Sequence, residues 1–354
     1  MATAFDQRWL RGRRALRLAT GTALSLAISF ALDLPIPVVA PVFAVFLLAT
    51  VNRPLAWQDG LRLVLVLALT TGSGLLLVPL LRDYSLAGVL LIGLCLLLAF
   101  RYGLSGGNNL VATFLVVGLT MISAAGVANV DLAMTVVGAL VKGLLLAVLV
   151  LALCHGLFPE PASAPGAAAD RTMRKDEAVR LALRATLVVL PAFLLALTDP
   201  AGYMPIIMKS VSLGRQSCTT STRGAARELL GSTLLGGLLA ILFWFALKWF
   251  VHLWMFFLWM LLFALLVARK LYAISATRYT PGFWLNTLVT LIILLGQSVQ
   301  DSVAGKNVYT AFAVRMALFI GVTLYACLMV QLLDTRRYLR SGEPPPSEAS
   351  QAKN

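Results

Sequence analysis

The feature that most limits what this chain can fold into is its succession of apolar runs, each about 20 residues long and separated by short polar breaks. A run of that length spans the roughly 30 Å hydrocarbon core of a bilayer as an α-helix. Inside lipid only helices and closed barrels can satisfy their backbone groups. The runs are too long and too uniformly apolar for barrel strands. Composition agrees: 60% of the 354 residues are hydrophobic, 12% are charged and mean hydropathy is +0.88. The expected fold class is all-α, a polytopic membrane helical bundle of about 12 transmembrane helices in two parallel six-helix repeats.

The runs place spans at about 14–32, 37–52, 60–81, 85–100, 108–125 and 132–158, then 178–197, 203–220, 225–249, 252–268, 282–299 and 308–333. Two are weak by hydropathy. The second is short and carries Pro37 and Pro41, and the eighth contains Lys209. Charge parity decides for both. With twelve crossings, the arginines at 8, 11, 13, 14 and 17, the basic residues of 171–184, and Arg269, Lys270, Arg278, Arg336, Arg337 and Arg340 share one side. Arg53, Arg62, Arg101, Arg215, Arg223 and Arg227 join them, while the opposite loops hold only Arg82, Lys248 and Lys306. By the positive-inside rule the crowded side is cytoplasmic, and both termini lie there. A multi-pass membrane protein follows as an expectation. The net charge of +14 is thereby spent on topology, and a nucleic-acid partner is not expected.

Residues 1–158 read as the first membrane repeat, 159–177 as a flexible Pro/Ala-rich cytoplasmic linker, 178–338 as the second repeat and 339–354 as a disordered cytoplasmic tail. The opening spans of the halves share a pattern: a basic entry, an apolar run, then Asp33 and Pro35 or Asp199 and Pro200, with Pro41 matched by Pro205. Six spans per half give copies of like orientation, related by an axis along the membrane normal, with a path near their interface. Proline-interrupted short spans at matching positions, here the second and eighth, point to a substrate site. The N-terminus superficially resembles a signal peptide, but DLPIP follows its apolar run where a small-residue cleavage site would stand, so an uncleaved span is expected.

Charge within the apolar runs carries the functional reading. In 199–223, Lys209, Ser212, Gln216, Thr219 and Arg223 recur every three or four residues, forming one polar stripe on a helix, opposite Ile206, Ile207, Val211 and Leu213. An ionisable residue at membrane depth faces a bundle interior or a wet cavity and marks a functional site by default. The ordinary alternative is a loop lysine snorkelling to a headgroup. Lys142 stands some 16–20 Å from either end of its run, at about 1.5 Å per residue. Arg315 is its counterpart in the last span, with pairing to Asp301 as the plain alternative. Three cations without a mid-membrane carboxylate make an interior that attracts anions. Asn286, Thr290 and Gln297 share a face of the eleventh span and are placed to solvate an anion or simply to glue helices. Substrate binding is expected at Lys209, Lys142, Arg315, Ser212, Gln216 and Asn286. Asp199 and Asp33 are candidates for proton coupling, or else caps of the helices that follow them. Arg227 and Glu228 are expected to form an ion pair on the cytoplasmic side.

No metal-ligand spacing, nucleophile elbow or phosphate loop occurs, and the four cysteines form no C-x-x-C pair. No catalytic residue, metal or cofactor is expected, and the chain is not read as an enzyme.

At the ninth span, Arg227-Glu-Leu-Leu-Gly231-Ser-Thr233-Leu-Leu-Gly236-Gly237 resembles the R-x-x-G-T-x-x-G pattern of the fusaric-acid-resistance and aromatic-acid-exporter family, with one inserted serine. The first half echoes it loosely as Arg62 followed by Thr70, Thr71, Gly72 and Gly74, and residues 34–49 are similar to that group's Pro-containing second span. Many members carry a large cytoplasmic domain where this chain has a short linker. The resemblance implies an inner-membrane efflux protein for aromatic or other weak organic acid anions, driven by the proton gradient. It also implies a periplasmic adaptor of the membrane-fusion type and leaves room for a homo-oligomer. More distantly, the six-span unit resembles plant aluminium-activated malate transporters, whose paired units enclose a basic pore. The rival readings are a passive organic-anion channel and a non-transporting scaffold of an envelope complex.

Overall fold

The computed structural model describes residues 4–51, 57–160, 175–219, 224 and 226–341. Among these the chain is all helix, with no strand. The elements are α1 (Ala4–Ala31), α2 (Val39–Thr50), α3 (Trp57–Leu76), α4 (Val78–Asp83), α5 (Ser85–Leu104) and α6 (Asn109–Val117). A π-helical turn, Gly118–Ile122, joins α6 to α7 (Ser123–Ala128), and α8 (Val130–Leu157) follows. After them come α9 (Lys175–Thr198), α10 (Pro200–Thr219), a second π turn (Ala226–Leu230) running into α11 (Gly231–Trp249), α12 (Leu253–Leu271), α13 (Pro281–Val303) and α14 (Val308–Ser341).

The helices begin where polar residues can receive their free N–H groups. Asn108 Oδ1 accepts from Leu110 N at 3.0 Å, Asn129 Oδ1 from Asp131 N at 2.9 Å, and Thr280 caps α13 just ahead of Pro281 at its first position. Among the described residues, nine helical stretches are long and apolar enough to cross a membrane. The chain is thus a multi-pass helical membrane protein in its architecture. Hydropathy alone passes over α1, with its arginines, and the polar α10, while the apolar α2 falls short in length at 12 residues. Each of the twelve expected spans nevertheless coincides with a helix or with helices running end to end. The third span breaks at Leu77 into α3 and α4, and α14 runs on to Ser341, past the expected start of the tail at 339. In the linker, α9 starts at Lys175 and Pro159–Glu160 lie against α1; residues 161–174 and 342–354 lie outside the described residues.

Burial sorts the helices into two layers. In the apolar windows of α6–α7 and α13, 78% and 72% of residues are buried, against 28% in α5 and α14, so the first pair is interior and the second faces outward. The short α2 is buried along most of its length, and α10 from Met204 to Gln216 apart from Met208 and Arg215. The rim is a belt of exposed leucines, among them Leu69, Leu90, Leu258 and Leu324, with Trp249 and Trp254 at one end. That is the surface expected of helices bathed in hydrocarbon between aromatic anchors.

The most extensive contacts between the first and second halves of the chain are α1 packed along α12 and α5 packed on α9, with smaller ones where α2 meets α13 and α6 meets α10. At the arginine-rich end, Arg14 holds Glu160 by two bonds of 2.9 and 3.1 Å, and Arg17 Nη2 lies 3.1 Å from the same carboxylate. Glu160 follows α8 directly, so this cluster ties the close of the first half to its first helix.

Candidate functional site

The site grows from α10. Asp199 Oδ1 accepts the Gly202 N–H at 3.1 Å and starts the helix, with Pro200 at its first position. Ten residues later Lys209 is wholly buried. Its ammonium donates to Asn286 Oδ1 at 3.0 Å and to Thr290 Oγ1 at 2.6 Å, both on α13, and sits 6.0 Å from the centroid of Phe319 on α14. Two of its three protons are thus received by neutral oxygens. Among the described residues, no carboxylate pairs with it.

Asn286 is the hub. Its oxygen also accepts from Ser212 at 3.3 Å, and its amide donates to Ser232 Oγ on α11 at 2.7 Å. The network needs α11 and α13 in close contact, and glycine provides it. A Cβ on Gly236 would stand 2.7 Å from Thr290 Cβ and 2.8 Å from the Thr287 carbonyl. Next to it, Thr233 is buried, bonding the Leu229 carbonyl at 2.8 Å and lying 3.3 Å from Thr323 Oγ1 of α14.

On the side of Asn286 towards the arginine-rich end opens a cavity of about 230 Å³. Phe46 of α2, Phe100 of α5 and Asn109 and Thr113 of α6 line it from the first half. Ser212, Arg215 and Gln216 of α10 and Asn286 of α13 line it from the second. Arg215 lies with its guanidinium carbon 4.9 Å from the Phe46 ring centroid, and its buried Nη1 has no hydrogen-bond partner. Arg215 also borders a second, apolar pocket running inward between Phe43, Phe114, Leu140 and Val211. A single void therefore has contributions from both halves, carries a cation with donor capacity in hand, and lies beside a second cation held by Asn286. Chemically, a guanidinium with an unused donor at the edge of a cavity is a group that can bind an anion through a charge-assisted hydrogen bond.

Of the expected substrate-binding residues, Ser212, Gln216 and Asn286 line this cavity, and Lys209 backs it through Asn286. Lys142 does not join them: it is exposed on the outer face of α8. The reason is steric. The inward edge of α8 is the small-residue row Ala139, Gly143 and Ala147, and a Cβ on Gly143 would meet Val39 Cγ1 of α2 at 2.7 Å, so the neighbouring position turns away. Arg315 is also elsewhere. It grips Asp301 with both guanidinium nitrogens, one bond being 3.0 Å, which is the pairing that the sequence offered as the alternative.

Neither expected proton-coupling residue lines the cavity. Asp199 is exposed and caps α10, and Asp33 is exposed in a turn at φ +47°. The expected pair of Arg227 with Glu228 is replaced by two separate contacts: Glu228 accepts from Thr280 at 2.8 Å, and the Arg227 guanidinium lies 5.2 Å from the Tyr279 ring centroid. Gly231 faces Phe283, where a Cβ would come within 3.2 Å. Gln297 bonds Gln300, away from the network. The side chain of Thr219 and all of Arg223 lie outside the described residues.

Arg215 is the site residue that sequence reasoning missed, because charge parity assigned it to a cytoplasmic loop. The signal was partial: it follows Ser212 by three residues and so lies at the edge of the polar stripe that carries Lys209.

Residues 14–154, from α1 through most of α8, match a family described as "Protein of unknown function (DUF2955)". That description carries no activity and lends no support to the fusaric-acid resemblance. No curated protein and no solved structure matches the chain.

Proposed function

We propose that this chain is an inner-membrane transporter that exports aromatic or other weak organic acid anions through the space between its two halves. The observation that carries the reading is Lys209: a lysine amine sealed inside a membrane bundle, held only by neutral oxygens among the described residues, beside a cavity bearing Arg215. Removing a charge from water without a counter-charge costs several kcal/mol, on the order of 3 on insertion scales. A structural lysine would be expected to have acquired a carboxylate, as Arg315 has with Asp301. A substrate anion supplies the missing charge only while it passes.

The two-repeat layout belongs to this reading and has independent support in packing. Thr71 and Gly74 stand in the same relation as Thr233 and Gly236, and both threonines are buried. A Cβ on Gly74 would meet the Gly118 carbonyl at 2.6 Å, as one on Gly236 would meet α13. The crossing pair α1–α12 has its counterpart in α9–α5, the first helix of each half meeting the fourth of the other. Cytoplasmic termini follow from the placing of arginine. Outward direction, proton-gradient drive and a periplasmic adaptor rest on the resemblance alone.

The test is flux of aromatic acids in inverted vesicles and in proteoliposomes. Lys209→Met is expected to lower flux at least about tenfold, the loss of one charge-assisted contact. Unchanged flux would remove the site assignment. Uphill accumulation that follows an imposed pH gradient separates a transporter from a passive channel.

A further inference from the structure

A third void lies against the other side of the cavity wall. Between α3 and α5, over the outward face of α6, runs a groove of about 630 Å³ bordered by Leu76, Cys95, Leu98, Tyr102 and Leu115. It forms because α5 leans on α6 and α9 while α3 leans on the π turn and α8, so the two outer helices diverge. Its opening lies on the belt of exposed leucines, where hydrocarbon is expected: Leu76 and Leu98 are both exposed.

The groove and the Arg215 cavity share a wall one residue thick. Ala112 borders both voids, and on α5 Ala99 faces the groove while Phe100 faces the cavity. The seam is closed by small groups, since a Cβ on Gly103 would stand 2.8 Å from Ala112 Cβ. An apolar trough open to lipid thus ends against a cavity with an arginine in it. Lipid tails alone would account for the trough. They would not account for its ending at the wall of a cavity that holds an arginine with a nitrogen in want of an acceptor.

We infer that this groove is a lateral entrance, in which the hydrocarbon part of an amphipathic carboxylic acid lies between α3 and α5 while its carboxylate is passed across the Ala112 seam to Arg215. This rests on the cavity being an anion site, as proposed above, and it narrows the substrates to acids that partition into the bilayer before they are transported. A carboxylate with an apolar tail suits both parts: the tail stays in hydrocarbon throughout, and only the head must find a donor.

The experiment uses the full chain in liposomes with a diazirine-bearing decanoic acid and, as control, its methyl ester. The acid is expected to label α3, α5 and α6 within the groove. Labelling should fall about tenfold in Arg215→Gln, the loss of one charged hydrogen bond, and be largely kept in Arg215→Lys. The ester should label about as weakly as the acid does in Arg215→Gln. Equal labelling by acid and ester, or no response to Arg215→Gln, means that the groove holds lipid only, and the inference falls. Leu98→Trp fills the groove from the lipid side without touching the cavity. It should lower decanoate flux several-fold relative to benzoate; equal loss of both, or no loss, also overturns the entrance. Should Lys209→Met leave flux intact while labelling remains acid-specific, the failure belongs to the transport site and not to the groove.

Discussion

At the scale of single residues, the three cations of the apolar runs have three different fates, and each has a measurable consequence. Arg315 and Asp301 form a pair with side chains only 17% and 6% exposed. Asp301→Asn strands the guanidinium, and breaking such a pair from one side costs about 3 kcal/mol. The melting temperature in detergent should fall clearly, and the double variant Asp301→Asn/Arg315→Gln should recover most of the loss. Lys142 points out of the bundle, where a charge costs about 2.5–3.5 kcal/mol on insertion scales. Lys142→Leu is therefore expected to raise the yield of inserted protein and to leave flux within about twofold of wild type. A large loss of flux would return Lys142 to the path. Lys209 was legible because its stripe of polar neighbours has a helical period. Lys142 was misplaced because α8 is apolar all round, leaving no polar face by which to orient it; the small residues Ala139, Gly143 and Ala147 held the answer, since close helix contacts in membranes run along such rows.

At the scale of elements, the inner helices are positioned by glycine and hydroxyl contacts more than by bulk apolar packing, as expected where lipid and core are equally apolar. Gly236 is the sharpest instance. Gly236→Leu would drive α11 from α13, at a cost of about 1–3 kcal/mol for overpacking, and would pull Ser232 from Asn286. Flux should fall with stability, whereas Gly138→Leu, with nothing within 4 Å of its Cβ, should change neither. Thermal unfolding and flux measured on the same preparations check both. The second and eighth spans show what patterning can reveal. The apolar α2 is too short and α10 too polar to stand out as spans, yet charge parity calls for two crossings there and helices stand at both. Parity can point to a helix that length or hydropathy leaves out because it depends on arginines in loops, which stay outside the bilayer whatever the helices do. The same rule misled at Arg215, a basic residue near a helix end that folds inward onto Phe46. Loop charge counts carry no information on side-chain direction, so the cavity could not be drawn before the helices were placed.

At the scale of the whole molecule, the halves are bound to each other by helices that lie first and fourth in each, α1 on α12 and α9 on α5. These are extended helix–helix surfaces, and they enclose the inner helices that carry the cavity. Neither half can bury its share of that surface alone: the sides of α2 and α6 that meet α10 and α13 would be left facing lipid with Asn109, Thr113 and the mouth of the cavity exposed. The contacts named above are all made by other residues, and covalent continuity through 161–174 adds effective concentration to them. A chain cut within that stretch should therefore still assemble. Residues 1–165 and 166–354 expressed together, with an affinity tag on one, are expected to co-purify and to retain flux, and each expressed alone is expected to be recovered at much lower yield. Independent recovery of folded halves would mean that the crossing contacts are dispensable. A cavity lined from both sides would then have to be a product of chance apposition, and anion flux should survive in one half. Loss of co-purification on weakening α1 against α12, by Ala23→Phe at a position with no exposure, would locate the cohesion where the packing puts it.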